Sequence, residues 1–197
     1  MTERKREILA ASQNVLKEKG YAATSVRDIA KALSMEPASL YSHFKSKEDI
    51  LKITCFDMAD KLEIGIAEVN DIYFNAEEKL RTAINLHVKV LTQNLNSAMI
   101  FIRDWRNLTG KSLDQFILKR NAYEAGFREI VQTGINEGIF NETDKKFAAL
   151  TILSSVNWIV EWYKEDGSLS SEQIATKLSD FILSGLKKDT VYHSIIL

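Results

Sequence analysis

Residues 25–44 read SVRDIAKALSMEPASLYSHF, and the rest of the chain is best read outward from them. Val26, Ile29, Ala30 and Leu33 recur at three- and four-residue spacing, which is one face of a short helix. Ser25 stands where its hydroxyl can accept a first-turn N–H, and Asp28 occupies the capping-box position three residues on. Pro37 suits the first position of a second helix, because its φ is already helical and its missing N–H would be unpaired there anyway. Leu40 and Phe44 then point inward at i, i+4. The outward face carries Ala38, Ser39, Tyr41, Ser42 and His43, small or hydrogen-bonding groups with no acid among them. Two short helices, a tight turn and a polar outer face on the second form a helix-turn-helix pattern. Periodicity alone equally allows an ordinary helical hairpin.

Composition sets the class around this unit. The chain has 197 residues, one proline and one cysteine, and its long stretches lack the turn clusters that β-rich chains need, so the class is all-α. Cys55 has no partner for an intrachain disulfide, which fits a reducing, cytoplasmic setting. No apolar run approaches a membrane span, and the amino-terminal residues lack a signal-peptide core. Net charge is −1, against coating of nucleic acid. Residues 1–52 nevertheless hold ten Lys and Arg against seven Asp and Glu, so a mildly basic head precedes an acidic body.

Read in order, the chain predicts about nine helices in two parts, a head at 1–46 and a body at 47–197. Glu3 to Lys19 is the first helix, ended by Gly20. Ser46 caps a helix running to about residue 74, with Asp49 in the capping-box position and Lys47 in the first turn. Further helices are expected over 76–94, 96–108, 113–137, 143–164 and 170–186. Met99, Ile100, Ile102 and Trp105 should face inward, Gly134 and Gly138 should mark a loop, and Ser170 with Gln173 should form a capping box. The final Ile195-Ile196-Leu197 either docks or frays.

The literal residues narrow the reading. Thr24 to Ala30, TSVRDIA, and Leu40 to Leu51, LYSHFKSKEDIL, closely resemble the DNA-binding head of the TetR family of bacterial transcriptional regulators. That resemblance implies an all-α homodimer whose heads enter the major grooves of a near-palindromic operator, with an effector site in the body. It implies contacts to DNA from Thr24, Ser25, Arg27, Glu36, Pro37, Ala38, Ser39, Tyr41, Ser42, His43, Lys45 and Lys47. Tyr41, His43 and Lys47 are assigned to phosphate, and Ala38, Ser39 and Ser42 to base edges. Departures from the family pattern are Ser34 for the usual turn Gly, Met35 for Val, Glu36 for Ser or Thr, and Ser42 for a second Tyr. Glu36 favours the helix dipole, repels phosphate, and can accept from a cytosine N4 amine. In the second half, 134–140, 157–163, 167–170 and 185–186 more faintly resemble repressors of fatty-acid and sterol breakdown.

For the effector site, an aromatic and aliphatic body with a few arginines suits an apolar molecule carrying phosphates, of which a long-chain acyl-CoA is one. The candidates are His87, Arg103, Trp105, Arg106, Arg120, Tyr123, Phe127, Asn157 and Trp158. His87 lies in an otherwise apolar helix without further ligands at metal spacing, so no metal and no cofactor is expected. There is no phosphate loop and no nucleophile elbow, so no enzyme is expected. The alternatives are a drug-efflux repressor answering to cationic or aromatic compounds, or a helical interaction or enzyme module that no longer binds DNA.

Overall fold

The computed structural model describes residues 1–188; Ile195-Ile196-Leu197 and His193 lie outside the described residues. The described chain forms α1 (Glu3–Lys19), α2 (Val26–Ala32), α3 (Pro37–Tyr41), α4 (Lys47–Asp71), α5 (Ala76–Gln93), α6 (Leu95–Arg103), a 3-10 turn at Trp105–Asn107, α7 (Gly110–Asn136), α8 (Lys145–Asn157), a second 3-10 turn at Trp158–Glu161, and α9 (Ser171–Leu186). The chain is all-α, and among the described residues the one β-type pairing is an isolated bridge between Phe140 and Lys187.

Local chemistry accounts for the boundaries. Thr2, Ser25, Ser46, Asn75, Asp144 and Ser170 each accept a first-turn backbone N–H. Ser25/Asp28, Asn75/Glu78 and Ser170/Gln173 are reciprocal capping boxes. Asp49 differs: its carboxylate takes the Lys45 N–H at 3.2 Å rather than closing a box on Ser46. Ser34 holds φ 51° in the turn between α2 and α3, the left-handed conformation for which glycine is the cheap choice.

Several expected spans are corrected by tertiary packing. Helix α4 stops at Asp71, three residues early, and Ile72, Tyr73 and Phe74 are exposed in the connection. The helix expected over 96–108 ends at Arg103 and re-forms as a 3-10 turn, with Ala98, Ile100 and Leu108 as its buried residues. Helix α7 begins at Gly110 rather than 113. Gly134 is not a loop residue. It lies inside α7 because the Phe140 ring packs on it, and a Cβ there would fall 2.1 Å from Phe140 Cδ2. The helix expected over 143–164 ends at Asn157 and tightens, which puts the consecutive Ile159 and Val160 inside.

The head and body are not separate cores. Ile8, Leu16, Ile29, Leu40 and Phe44 of the head share one apolar cluster with Ile50, Leu51 and Cys55 of α4 and with Ile100, Leu108 and Phe116. A second cluster fills the body between α4, α5, α7, α8 and α9, around Leu80, Ile84, Phe127, Ile130, Phe140, Val156 and Leu183. Burial of this kind contributes about 1.5–3 kcal/mol per large side chain before ordering costs. Helix α4 belongs to both clusters, so it is the element through which body and head are mechanically continuous. Cys55 is fully buried, and burial pushes its thiol up to about 12, which leaves it inert. No described helix is long and apolar enough to cross a membrane, and no described group of His, Cys, Asp or Glu is arranged to hold a metal.

Candidate functional site

The head presents one polar face. Leu40 and Phe44 are buried, while Glu36, Ala38, Ser39, Tyr41, Ser42 and Lys45 are exposed and Pro37 and His43 half-buried. Ser42 Oγ donates to the Ser39 carbonyl at 2.7 Å. Arg27 is exposed and, among the described residues, forms no ion pair. The Ser25 hydroxyl is engaged with the Asp28 carboxylate, which Lys19 also meets at 2.7 Å; these bonds hold the Asp28 carboxyl well below the usual range.

Besides Ser25, two further expected DNA contacts are occupied within the head. Thr24 is buried, and its hydroxyl donates to the Gly20 carbonyl at 2.8 Å, closing the loop between α1 and α2. Lys47 does not offer a free ammonium at the start of α4. Its Nζ donates to the Tyr21 carbonyl at 2.6 Å and the Thr24 carbonyl at 2.7 Å, and lies 4.1 Å from the Tyr21 ring centroid. The physical reason is competition: two fixed carbonyl dipoles and an aromatic face hold the cation inside the head.

In the body, a cavity of 240 Å³ opens between α4, α5, α6, α7 and α8. Of the expected effector residues it brings together His87, Trp105, Arg120, Tyr123 and Asn157. His87 is fully buried. Its Nδ1 stands 2.7 Å from Tyr123 Oη and its Nε2 3.1 Å from Asn157 Oδ1, the pattern of a neutral ring donating from Nε2 and accepting at Nδ1. Burial lowers the His87 pKa to about 4 and raises that of Tyr123, so both stay uncharged at neutral pH.

Around the indole of Trp105 the arrangement changes character. The guanidinium of Arg120 lies 4.2 Å and that of Arg106 4.6 Å from the ring centroid. Neither forms an ion pair among the described residues, and burial together with its fellow cation lowers the pKa of Arg120. Glu124 is near enough to act on Arg120 in the opposite sense but forms no ion pair with it, so the two stacked cations still leave a place for an anion.

The other candidates are not on the cavity wall. Arg103 is paired bidentately with Glu161, Arg106 lies outside the wall on the Trp105 ring, and Phe127 is buried in the body core. Trp158 is 65% exposed beside Trp162. Wall residues that sequence reading did not single out include Ala59 and Leu62 of α4, Phe101, Leu150 and Ser154, and Ile102 was expected only to face inward. They carry only apolar or small side chains, so no chemical signal marks them. Lys119 is also on the wall, but Asp60 at 2.8 Å and Glu63 at 2.6 Å neutralise it.

Comparison with known proteins bears on the family of the chain. Residues 8–52 match the model of bacterial regulatory proteins of the tetR family, and residues 74–186 match the tetracyclin repressor-like C-terminal domain. The chain belongs to the TetR family of bacterial transcriptional regulators, and it is not an enzyme. It is 26% identical over 185 residues to the HTH-type transcriptional repressor KstR2 of Mycolicibacterium smegmatis, covering 93% of this chain and 90% of that one. Its structure superposes on the TetR family transcriptional regulator PfmR from Thermus thermophilus with a TM-score of 0.82, 31% identity, and coverage of 92% of this chain and 99% of the other. It also superposes on AibR in complex with isovaleryl coenzyme A and operator DNA, with a TM-score of 0.80, 29% identity, and coverage of 91% and 97%.

Proposed function

We propose that this protein is a cytoplasmic, homodimeric transcriptional repressor that leaves its operator when an acyl-CoA enters the body. The observation that carries the effector reading is the Trp105 cluster: Arg106 and Arg120 stack on one indole without forming an ion pair among the described residues, beside a cavity of 240 Å³ whose wall is part polar and part apolar. The phosphates of a nucleotide thioester suit the two cations, and its acyl chain suits the cavity. Glu124, the carboxylate on the cavity wall, lies 3.5 Å from Arg128 Nε without hydrogen-bonding it and is offset by Arg120 on the same wall. The acyl-CoA bound by AibR supports the same reading.

The dimer reading rests on large apolar side chains left exposed on the last helices. Phe147 and Leu150 of α8, Trp158 and Trp162 at its end, and Phe181 of α9 are all exposed, Phe181 by 79%. A symmetric four-helix interface between two copies would cover them. The operator reading rests on the polar face of α3 with Arg27 and Lys45 flanking it, so that paired heads reach successive major grooves.

Release follows from the position of α4. It carries Ala59 and Leu62 on the cavity wall and begins at Lys47, which ties it to the loop after α1. At the other flank, Glu48 accepts the Thr109 N–H at 2.8 Å and its hydroxyl at 2.9 Å, next to the turn that carries Trp105. An effector that fits the cavity better when α4 is displaced shifts the spacing of the heads by its differential affinity. The experiment is a gel shift on the DNA upstream of the protein's own coding sequence, titrated with acyl-CoAs, free fatty acids and cationic dyes. Thioesters should release the DNA, and replacing Arg106 and Arg120 by Gln should weaken them by tenfold or more while sparing fatty acids. Release by dyes alone would falsify the lipid reading, and absence of any shift would remove the operator reading.

A further inference from the structure

A second cavity, of 170 Å³, lies between α4 and α5, and it shares Leu62, His87 and Tyr123 with the first. The hydrogen-bonded His87–Tyr123 pair is therefore part of the wall of both. Its remaining lining is Ile66, Ala83, Leu86 and Val90, a glycine, Gly65, on the α4 side, and the exposed Lys61, Ile64 and Glu68. Tyr123 stands one helical turn after Arg120 on α7, so a chain anchored at Arg120 meets this pair as it runs inward. Tyr123 Oη meets His87 at 2.7 Å, Asn157 Oδ1 holds the other nitrogen of His87 at 3.1 Å, and the Tyr123 ring lies edge-on to Phe127 with centroids 5.4 Å apart.

We propose that the two cavities are one effector channel divided by the His87–Tyr123 hydrogen bond, and that this pair sets the chain length to which the protein responds. The proposal rests on the acyl-CoA reading for the identity of the head group only. A cavity of about 150 Å³ takes up benzene, so the first chamber, at 240 Å³, has room for about ten carbon atoms. Chains up to that length bind with the pair closed. Longer chains must part Tyr123 from His87 and enter the second chamber, where they wedge α4 from α5. Short chains thus occupy the body without moving α4, and long chains move it. The polar pair suits a divider because it is self-satisfied when closed, and opening it exposes two groups that then lack partners.

The test measures binding and operator release by the full-length dimer for straight-chain acyl-CoAs from four to eighteen carbons, and in parallel for the free fatty acids. In the first chamber affinity should rise about fourfold per methylene, then halt for two or three methylenes near ten carbons, and rise again. DNA release should follow only beyond the halt. Tyr123→Phe removes the hydroxyl and should abolish the halt. Gly65→Leu should fill the second chamber, since a Cβ there makes only ordinary contact, 3.7 Å from Leu86 Cδ1. Its affinities should stop rising at about ten carbons, with the short members as the reference, and long chains should no longer release DNA. A smooth rise in the wild type that Gly65→Leu leaves unchanged overturns the channel, and it does so even if Tyr123→Phe does not fold. Fatty acids that show the break while thioesters do not bind would uphold the channel and overturn the acyl-CoA reading. Failure of both series to bind overturns both.

Discussion

Replacing Lys47 by Met separates two roles that one cation could hold. In the structure its ammonium donates at 2.6 and 2.7 Å to the carbonyls of Tyr21 and Thr24 and stacks on the Tyr21 ring. Hydrogen bonds to charged groups contribute about 1.5–3 kcal/mol each, but these carbonyls are only partly buried and water can replace part of that. The stacking adds about 0.5–1 kcal/mol. A net loss of roughly 3 kcal/mol follows, and at about 2–4 °C per kcal/mol for a chain of this size Tm should fall by roughly 6–12 °C. Operator affinity should fall alike for every operator sequence, because the loop after α1 loses its anchor to α4. The slope of log affinity against log salt should not change, whereas Arg27→Gln should lower it by about one per site. The assays are thermal melts and operator titrations at several salt concentrations. An unchanged Tm with a slope lowered by about one would refute the reasoning and return Lys47 to the DNA phosphates.

Phe181→Glu should give a monomer that no longer binds the operator, and a wild type that sediments as a monomer at micromolar concentration would sink the dimer reading. His87 predicts an acid limb. Its pKa is depressed in the fold from 6.5 to about 4, so its contribution is whole above 6.5 and is lost as pH falls through 4; at roughly 1.4 kcal/mol per unit this amounts to about 3 kcal/mol. His87→Gln should flatten the fall in stability over that window, and an identical slope in the variant would show that other groups cause it. Gly134→Ala should lower Tm by several degrees, since the cost of pushing Phe140 aside, about 1–3 kcal/mol, exceeds the gain in helix propensity of about 1 kcal/mol. A higher Tm would mean that Phe140 relaxes freely.

The head was legible because its signals are local. Ser25 with Asp28, Pro37, and the inward pair Leu40 and Phe44 act within a few residues of themselves, and each stands where its local chemistry places it. Ser34 in a left-handed turn could also be anticipated, from its place between two helices. Lys47 could not. Its ammonium is decided by carbonyls 23 and 26 residues away, which the spacing of charges along the chain does not reveal. Arg103 and Arg120 likewise look alike in sequence. One forms an ion pair with Glu161 across the fold, and the other stacks on an aromatic ring without forming one.

The sequence by itself determined the all-α class, the capped helices, the helix-turn-helix and the family, because periodicity, capping and turn chemistry depend on near neighbours. Only the tertiary structure decided which side chains share a cavity and which polar groups are already satisfied. His87 shows the reason. Alone it is a histidine in an apolar helix, and it becomes a neutral divider between two chambers because Tyr123 and Asn157, from two other helices, meet its two nitrogens where the ring is almost wholly buried.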